Sequence, residues 1–170
     1  MSWTGTDYDW IAAGGGGGAD LYAANEVSVT AQPSATGDDA VAIGDSATAS
    51  AANSMAIGHT ASTSGSYSVA LGRNASSTSP SAASIGYNAT ASGTQSVALG
   101  TNAVASGTNS LAGPNSTASG SNSFALGQSA SASNFGGAAF GKGATTAVNN
   151  YNVAIGNSYT SGEDAFAAAI

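Results

Sequence analysis

The sequence predicts an all-β protein, a parallel β-roll (β-solenoid) built from coils of about 14 residues. Three observations carry this. The first is a period. Glycines close the short apolar phrases at Gly44, Gly58, Gly72, Gly86 and Gly100, each 14 residues after the last. Gly113, Gly127, Gly141 and Gly156 continue the series at spacings of 13, 14, 14 and 15. A period of this size marks a stacked repeat. The second is alternation. In Ser96-Val97-Ala98-Leu99-Gly100, Val97 and Leu99 point one way and Ala98 the other, and Ala103-Val104-Ala105 repeats the pattern. Alternation with period two is the strand signature. The third is composition: the tract is rich in Gly, Ser, Thr and Asn, all poor helix formers.

Each coil divides into two strands and two turns. The first strand is the apolar phrase. After its glycine, Asn recurs two residues on (Asn74, Asn88, Asn102, with Asn115 in the damaged copy), and Ala three residues on (Ala47, Ala61, Ala75, Ala89, Ala103). Gly and Asn tolerate positive φ and suit tight turns. Ala five residues on and Ser or Thr four and six residues on make the second strand. The array begins near Glu26-Val27-Ser28-Val29-Thr30 and ends at a degenerate copy, Ala165–Ala169. The division is therefore an arm, 1–25, and a repeat domain, 26–170. Some ten coils would stand on the order of 50 Å tall.

The larger apolar residues are expected inside: Val41, Ile43, Met55, Ile57, Val69, Leu71, Val97, Leu99, Phe124, Leu126, Phe140, Val153 and Ile155. The copy around Ser110-Leu111-Ala112-Gly113 lacks its second apolar residue, and the next copy brings in Phe124. Ala138 similarly accompanies Phe140. Loss beside gain of volume suggests a packed interior. A 14-residue coil encloses little, so one chain has little to bury alone and an oligomer is expected. The column of small residues between each apolar pair (Ala42, Ala56, Ala70, Ala98, Ala112, Ala125, Ala139 and Ala154) is the expected contact between chains.

Residues 96–107, SVALGTNAVASG, together with SVALGRNA at 68–75 and GYNATASG at 86–93, resemble the head repeats of YadA-like trimeric autotransporter adhesins. The resemblance covers roughly 26–162. It implies a left-handed parallel β-roll in which three chains pack side by side as a homotrimer. Similar repeats occur in fibre and decoration proteins of bacteriophages.

The arm differs in kind. It holds Trp3, Tyr8, Trp10 and Tyr22, and five glycines at 14–18 split it. Clustered aromatics on a Gly-rich segment read either as an anchor onto a larger assembly or as a cap on the open end of the roll. Its start, MSWTGTDYDW, lacks the basic and apolar regions of a secretory signal.

Composition argues against most chemistry. Two Lys+Arg stand against nine Asp+Glu, a formal net charge of -7, which repels nucleic acid. No run approaches the roughly 20 apolar residues of a membrane helix. Without cysteine there is no thiolate chemistry, and His59, the single histidine, supports no catalytic triad. Asp38, Asp39 and Asp45 could hold calcium across a turn, but the Asp-bearing repeat of calcium-binding rolls is missing. No cofactor, metal or enzymatic activity is expected. The expected function is structural: a trimeric head decoration protein or short fibre on a phage particle, anchored through residues 1–25 to capsid or tail and exposed at the virion surface. The alternative is an adhesin head on a tail fibre or bacterial surface that binds host-surface ligands. A remote third reading takes the paired Ser/Thr columns, such as Thr90/Ser92 and Thr117/Ser119, for an ice-binding face.

Overall fold

The computed structural model describes residues 32–147, 150–160, 162 and 164–169. Within them the chain winds into two ten-stranded parallel sheets, with successive strands alternating between the sheets. Each strand has two or three residues. Register follows the repeat: Val97 pairs with Ala83 on one side and Leu111 on the other, and Val104 pairs with Thr90 and Thr117. The expected all-β roll with coils of about 14 residues is therefore present.

The two inner faces meet over very small side chains. One sheet contributes Ala56, Ala70, Ser84, Ala98, Ala112, Ala125, Ala139 and Ala154, all buried. The other contributes Ala49, Thr63, Ser77, Ala91, Ala105, Ala118, Ala132, Thr146 and Thr160. Turn residues such as Ala75, Ala89 and Ala103 complete the interior. Alanine gives up no side-chain rotamer entropy on burial, so a core of this kind is cheap to order. Where serine replaces alanine on both inner faces, the two hydroxyls meet: Ser77 donates to the Val69 carbonyl at 2.7 Å and accepts from Ser84 at 2.8 Å. Thr63 donates to Ser54 at 3.0 Å.

This reverses the orientation expected from the sequence. Ala98 is 0 % exposed, whereas Leu99 is 48 % exposed. The proposed contact column, Ala56, Ala70, Ala98, Ala112, Ala125, Ala139 and Ala154, lies in the core, and Ala42 holds the same inward position half-buried near the start of the described stack. The proposed core lies outside. Met55, Leu71, Leu99, Leu126, Phe140 and Ile155 are exposed, and Val41, Ile43, Ile57, Val69, Val97, Phe124 and Val153 are partly so. The physical reason is space. Two strands joined by tight corners bring their sheets so close that only Ala, Ser, Thr or Gly fits between them.

The corners explain the fixed residues. Gly86 has φ +136, and a Cβ there would lie 2.6 Å from the backbone of Gly100 in the next coil. Only glycine meets both demands. Two residues on, Asn74, Asn88, Asn102 and Asn115 all adopt left-handed backbone, with φ between 51 and 57. Their carboxamides form a ladder up the corner. Asn74 Nδ2 donates to Asn88 Oδ1 at 2.9 Å, Asn88 to Asn102 at 3.3 Å, and Asn102 to Asn115 at 3.1 Å. Thr60 Oγ1 donates to Asn74 Oδ1 at the foot of the ladder.

The damaged coil keeps the stack intact. Ala112 stays paired with Ala98 and Ala125, so Gly113 stands in the column of Leu99 and Leu126. Pro114 packs over Gly100, and the missing residue is lost from the corner. The methyl tip of Leu126 occupies the space above Gly113. The space left by the short phrase is thus filled on the outer face, and by Leu126 rather than by Phe124, which pairs with Leu111. There the Phe124 and Phe140 rings also meet, 5.2 Å apart, over the gap left by Ala138.

Candidate interaction surfaces

Three outward surfaces follow from this architecture. The first is the outer face of the sheet that carries the apolar phrases. Two columns of large apolar residues run along it, represented by Val69/Leu71, Val97/Leu99, Phe124/Leu126 and Val153/Ile155. Ten strands stacked at about 4.8 Å make this stripe on the order of 45 Å long. Water-exposed apolar patches of such extent mark sites of association.

The second surface is the outer face of the opposite sheet. Its strand residues are mainly hydroxyls: Ser34, Thr48, Ser62, Ser76, Thr90, Thr117, Ser131 and Thr145. Val104 and Tyr159 interrupt the column. Several flanking hydroxyls are engaged along the stack, with Ser50 donating to the Thr63 carbonyl at 3.1 Å and Ser133 to the Thr146 carbonyl at 2.8 Å. This is a hydrated face whose polar groups also tie coils together.

The third surface is the corner ridge that follows the phrase-ending glycines. It carries Asp45, His59, Arg73, Tyr87, Thr101, Gln128 and Lys142. His59 Nε2 lies 3.4 Å from Asp45 Oδ2. The Arg73 guanidinium sits 5.8 Å from the centre of the Tyr87 ring. Among the described residues no group of three or more His, Cys, Asp and Glu comes together to hold a metal ion. Asp38 and Asp39 are exposed at the opposite corner, where Asp39 takes a left-handed backbone.

The sequence-predicted anchor residues Trp3, Tyr8, Trp10 and Tyr22 fall outside the described residues. The Arg73–Tyr87 pairing went unnoticed in the sequence. Residues 14 apart are spatial neighbours in a roll of this period, and that signal was available.

With strands, corners and faces in place, the repeat can be compared with known families. The family described as YadA head domain repeat (2 copies) matches at residues 35–61, 49–75, 77–103, 91–112 and 105–130. These matches cover more than half of the chain. The chain belongs to the YadA head-repeat family. Each match spans about two coils, and successive matches advance by whole coils, so the family's unit and the structural unit coincide. No curated protein matches the sequence. The YadA head repeat places this chain with adhesin-like β-rolls of surface-exposed proteins. Among the described residues no helix is long and apolar enough to cross a membrane.

Proposed function

We propose that this YadA-type head is a non-enzymatic structural module that assembles as a trimer through its apolar sheet face and is displayed on a surface as an adhesin-like rod. The apolar stripe is the observation that carries the proposal. Leu71, Leu99, Leu126 and Ile155 are more than a third exposed in the single chain, on a face with no charged residue in its strands. Three copies placed side by side bury these columns together and supply the large-residue core that the alanine interior lacks. The trimeric habit of YadA heads supports the same arrangement.

The mass in solution tests it. The full chain is expected to scatter light as three copies, and Leu71→Asp combined with Leu99→Asp to yield a folded monomer. A wild-type monomer overturns the trimer.

The finer reading, a decoration or fibre protein of a phage particle, draws on the arm. Trp3, Tyr8, Trp10 and Tyr22 are large amphipathic side chains of the type that anchor interfaces, set on a Gly-rich segment. Binding to empty capsids that is lost on deletion of 1–25, with the trimer retained, supports this reading. A deletion that leaves binding unchanged opposes it.

A further inference from the structure

We infer that the corner ridge around Arg73 and Tyr87 is a binding site for a saccharide bearing a carboxylate. This ridge is separate from the apolar sheet face and would serve recognition in addition to display.

The starting point is variation within the chain. Most columns of the roll repeat one residue class: Gly at the corner, Asn after it, Ala inside, mainly Val or Leu outside. The turn positions at the opposite corner vary among mostly neutral residues, such as Ala52, Ser66, Pro80 and Thr94, whereas the position after the corner glycine varies in charge as well. Asp45, His59, Arg73, Tyr87, Thr101, Gln128 and Lys142 share a single structural position, and no residue type recurs. The fold places no demand there, so the chemistry of that column is free to serve recognition. All three basic side chains of the 170-residue sequence, His59, Arg73 and Lys142, stand in it.

The contiguous part of the ridge has a definite character. Its side chains follow one another at about 4.8 Å, so His59, Arg73 and Tyr87 span roughly 10 Å. His59 is engaged by Asp45. Arg73 has no carboxylate next to it on the ridge, where its neighbours are His59 and Tyr87. Among the described residues no carboxylate pairs with its planar fork, which can take a ligand carboxylate with two parallel hydrogen bonds. The Tyr87 ring lies under that guanidinium and, at 44 % exposure, adds apolar surface next to it. The ladder amides of Asn74 and Asn88 flank both residues. Each spends one N–H on the ladder and retains a second N–H for a ligand hydroxyl. One cation, one flat ring and a row of amide donors match an acidic sugar, which offers a carboxylate, a C–H face and hydroxyls.

An extended acidic peptide fits less well. It would seek backbone partners, but the backbone here is already used between coils. Asn74 N donates to the His59 carbonyl at 3.0 Å, and Asn88 N to the Arg73 carbonyl at 3.0 Å.

The test is a titration of the full chain with 3′-sialyllactose, lactose and a hexaglutamate peptide, followed by calorimetry and by NMR of the Arg73 side chain. Sialyllactose is expected to bind with a dissociation constant on the order of 1 mM and lactose to show no saturation. Arg73→Ala and Arg73→Lys are expected to weaken binding at least about tenfold, because a lysine cannot form the two-point contact. Tyr87→Ala should weaken it, and Tyr87→Phe should leave it unchanged. Lys142→Ala, at a remote coil, should have no effect. No saturation by sialyllactose overturns the inference. So does binding that survives Arg73→Ala, or a preference for hexaglutamate. The mass of each variant in solution is read on the same samples, so loss of assembly is distinguished from loss of the site.

Discussion

Asn134 and Gly137 share one space inside the roll. The Asn134 side chain is buried, and its Oδ1 lies where a Cβ on residue 137 would stand. In the three preceding coils the same two positions hold Gly93 and Ser96, Gly107 and Ser110, and Gly120 and Ser123. The polar side chain has moved three residues along the corner, and the glycine has moved to make room for it. A Cβ at 137 would also come within 2.5 Å of Thr146 Oγ1.

This exchange predicts strong coupling. Gly137→Ser alone forces a side chain into the space of Asn134 and should cost about 1–3 kcal/mol. Asn134→Gly with Gly137→Ser restores the arrangement of the other coils and should recover most of that loss. A double-mutant cycle by urea denaturation measures the coupling. Additive effects would show that the two side chains do not compete.

Inner and outer faces should respond oppositely to size and charge. Ala98→Leu drives a large side chain between closely spaced sheets and is expected to unfold the roll or lower its stability by several kcal/mol, beyond the usual cost of about 1–3 kcal/mol for overpacking. Leu99→Asp should leave strand content intact by circular dichroism while weakening self-association. The opposite pattern would restore the orientation first expected from the sequence.

That orientation shows where sequence reasoning stopped. The period, the two strands per coil and the glycine and asparagine corners were all legible, because each reflects a local backbone demand. Which side of an alternating strand faces inward was not. Alternation defines two faces without ranking them, and the habit of placing Val and Leu inside ranked them wrongly. The usable signal was constancy of volume. The Ala98 column holds only Ala and one Ser, Ser84, from 42 to 154, whereas the neighbouring column runs through Val41, Met55, Ala83, Leu111 and Phe124. A tightly packed interior demands uniform size, and an outer face does not. The ridge was obscured for a related reason: its residues are separated in sequence and meet only through the winding of the coils.

Glycines that look alike should differ in tolerance. A Cβ on Gly107 would run into the carbonyl of Gly120, which the stack holds in place. A Cβ on Gly113 would meet only the tip of Leu126, which is exposed and can turn away. Gly107→Ala should therefore cost about 3 kcal/mol or more, and Gly113→Ala less than about 1 kcal/mol, by thermal or urea unfolding. Equal costs would contradict the stacked-corner geometry.

The asparagine ladder separates a backbone contribution from a side-chain one. Asn88 accepts from Asn74, donates to Asn102 and has φ 54. Asn88→Ala removes both bonds and keeps a Cβ in left-handed backbone, for an expected loss of about 2 kcal/mol. Asn88→Gly removes the same bonds and relieves the backbone, so it should lose about 1 kcal/mol less. If the two variants are equally stable, the side-chain bonds alone account for asparagine at this corner.

The coil around Gly113 has a bearing on how such a chain changes length. It is one residue short, yet the strands on either side of it stay in step because the corner takes up the difference. Coils are thus interchangeable parts with forgiving joints. Unequal crossing-over between copies of the coding repeat would insert or delete whole coils, and the rod would grow or shrink by about 4.8 Å for each while its apolar stripe and its ridge ran on unbroken. Its reach is set by copy number.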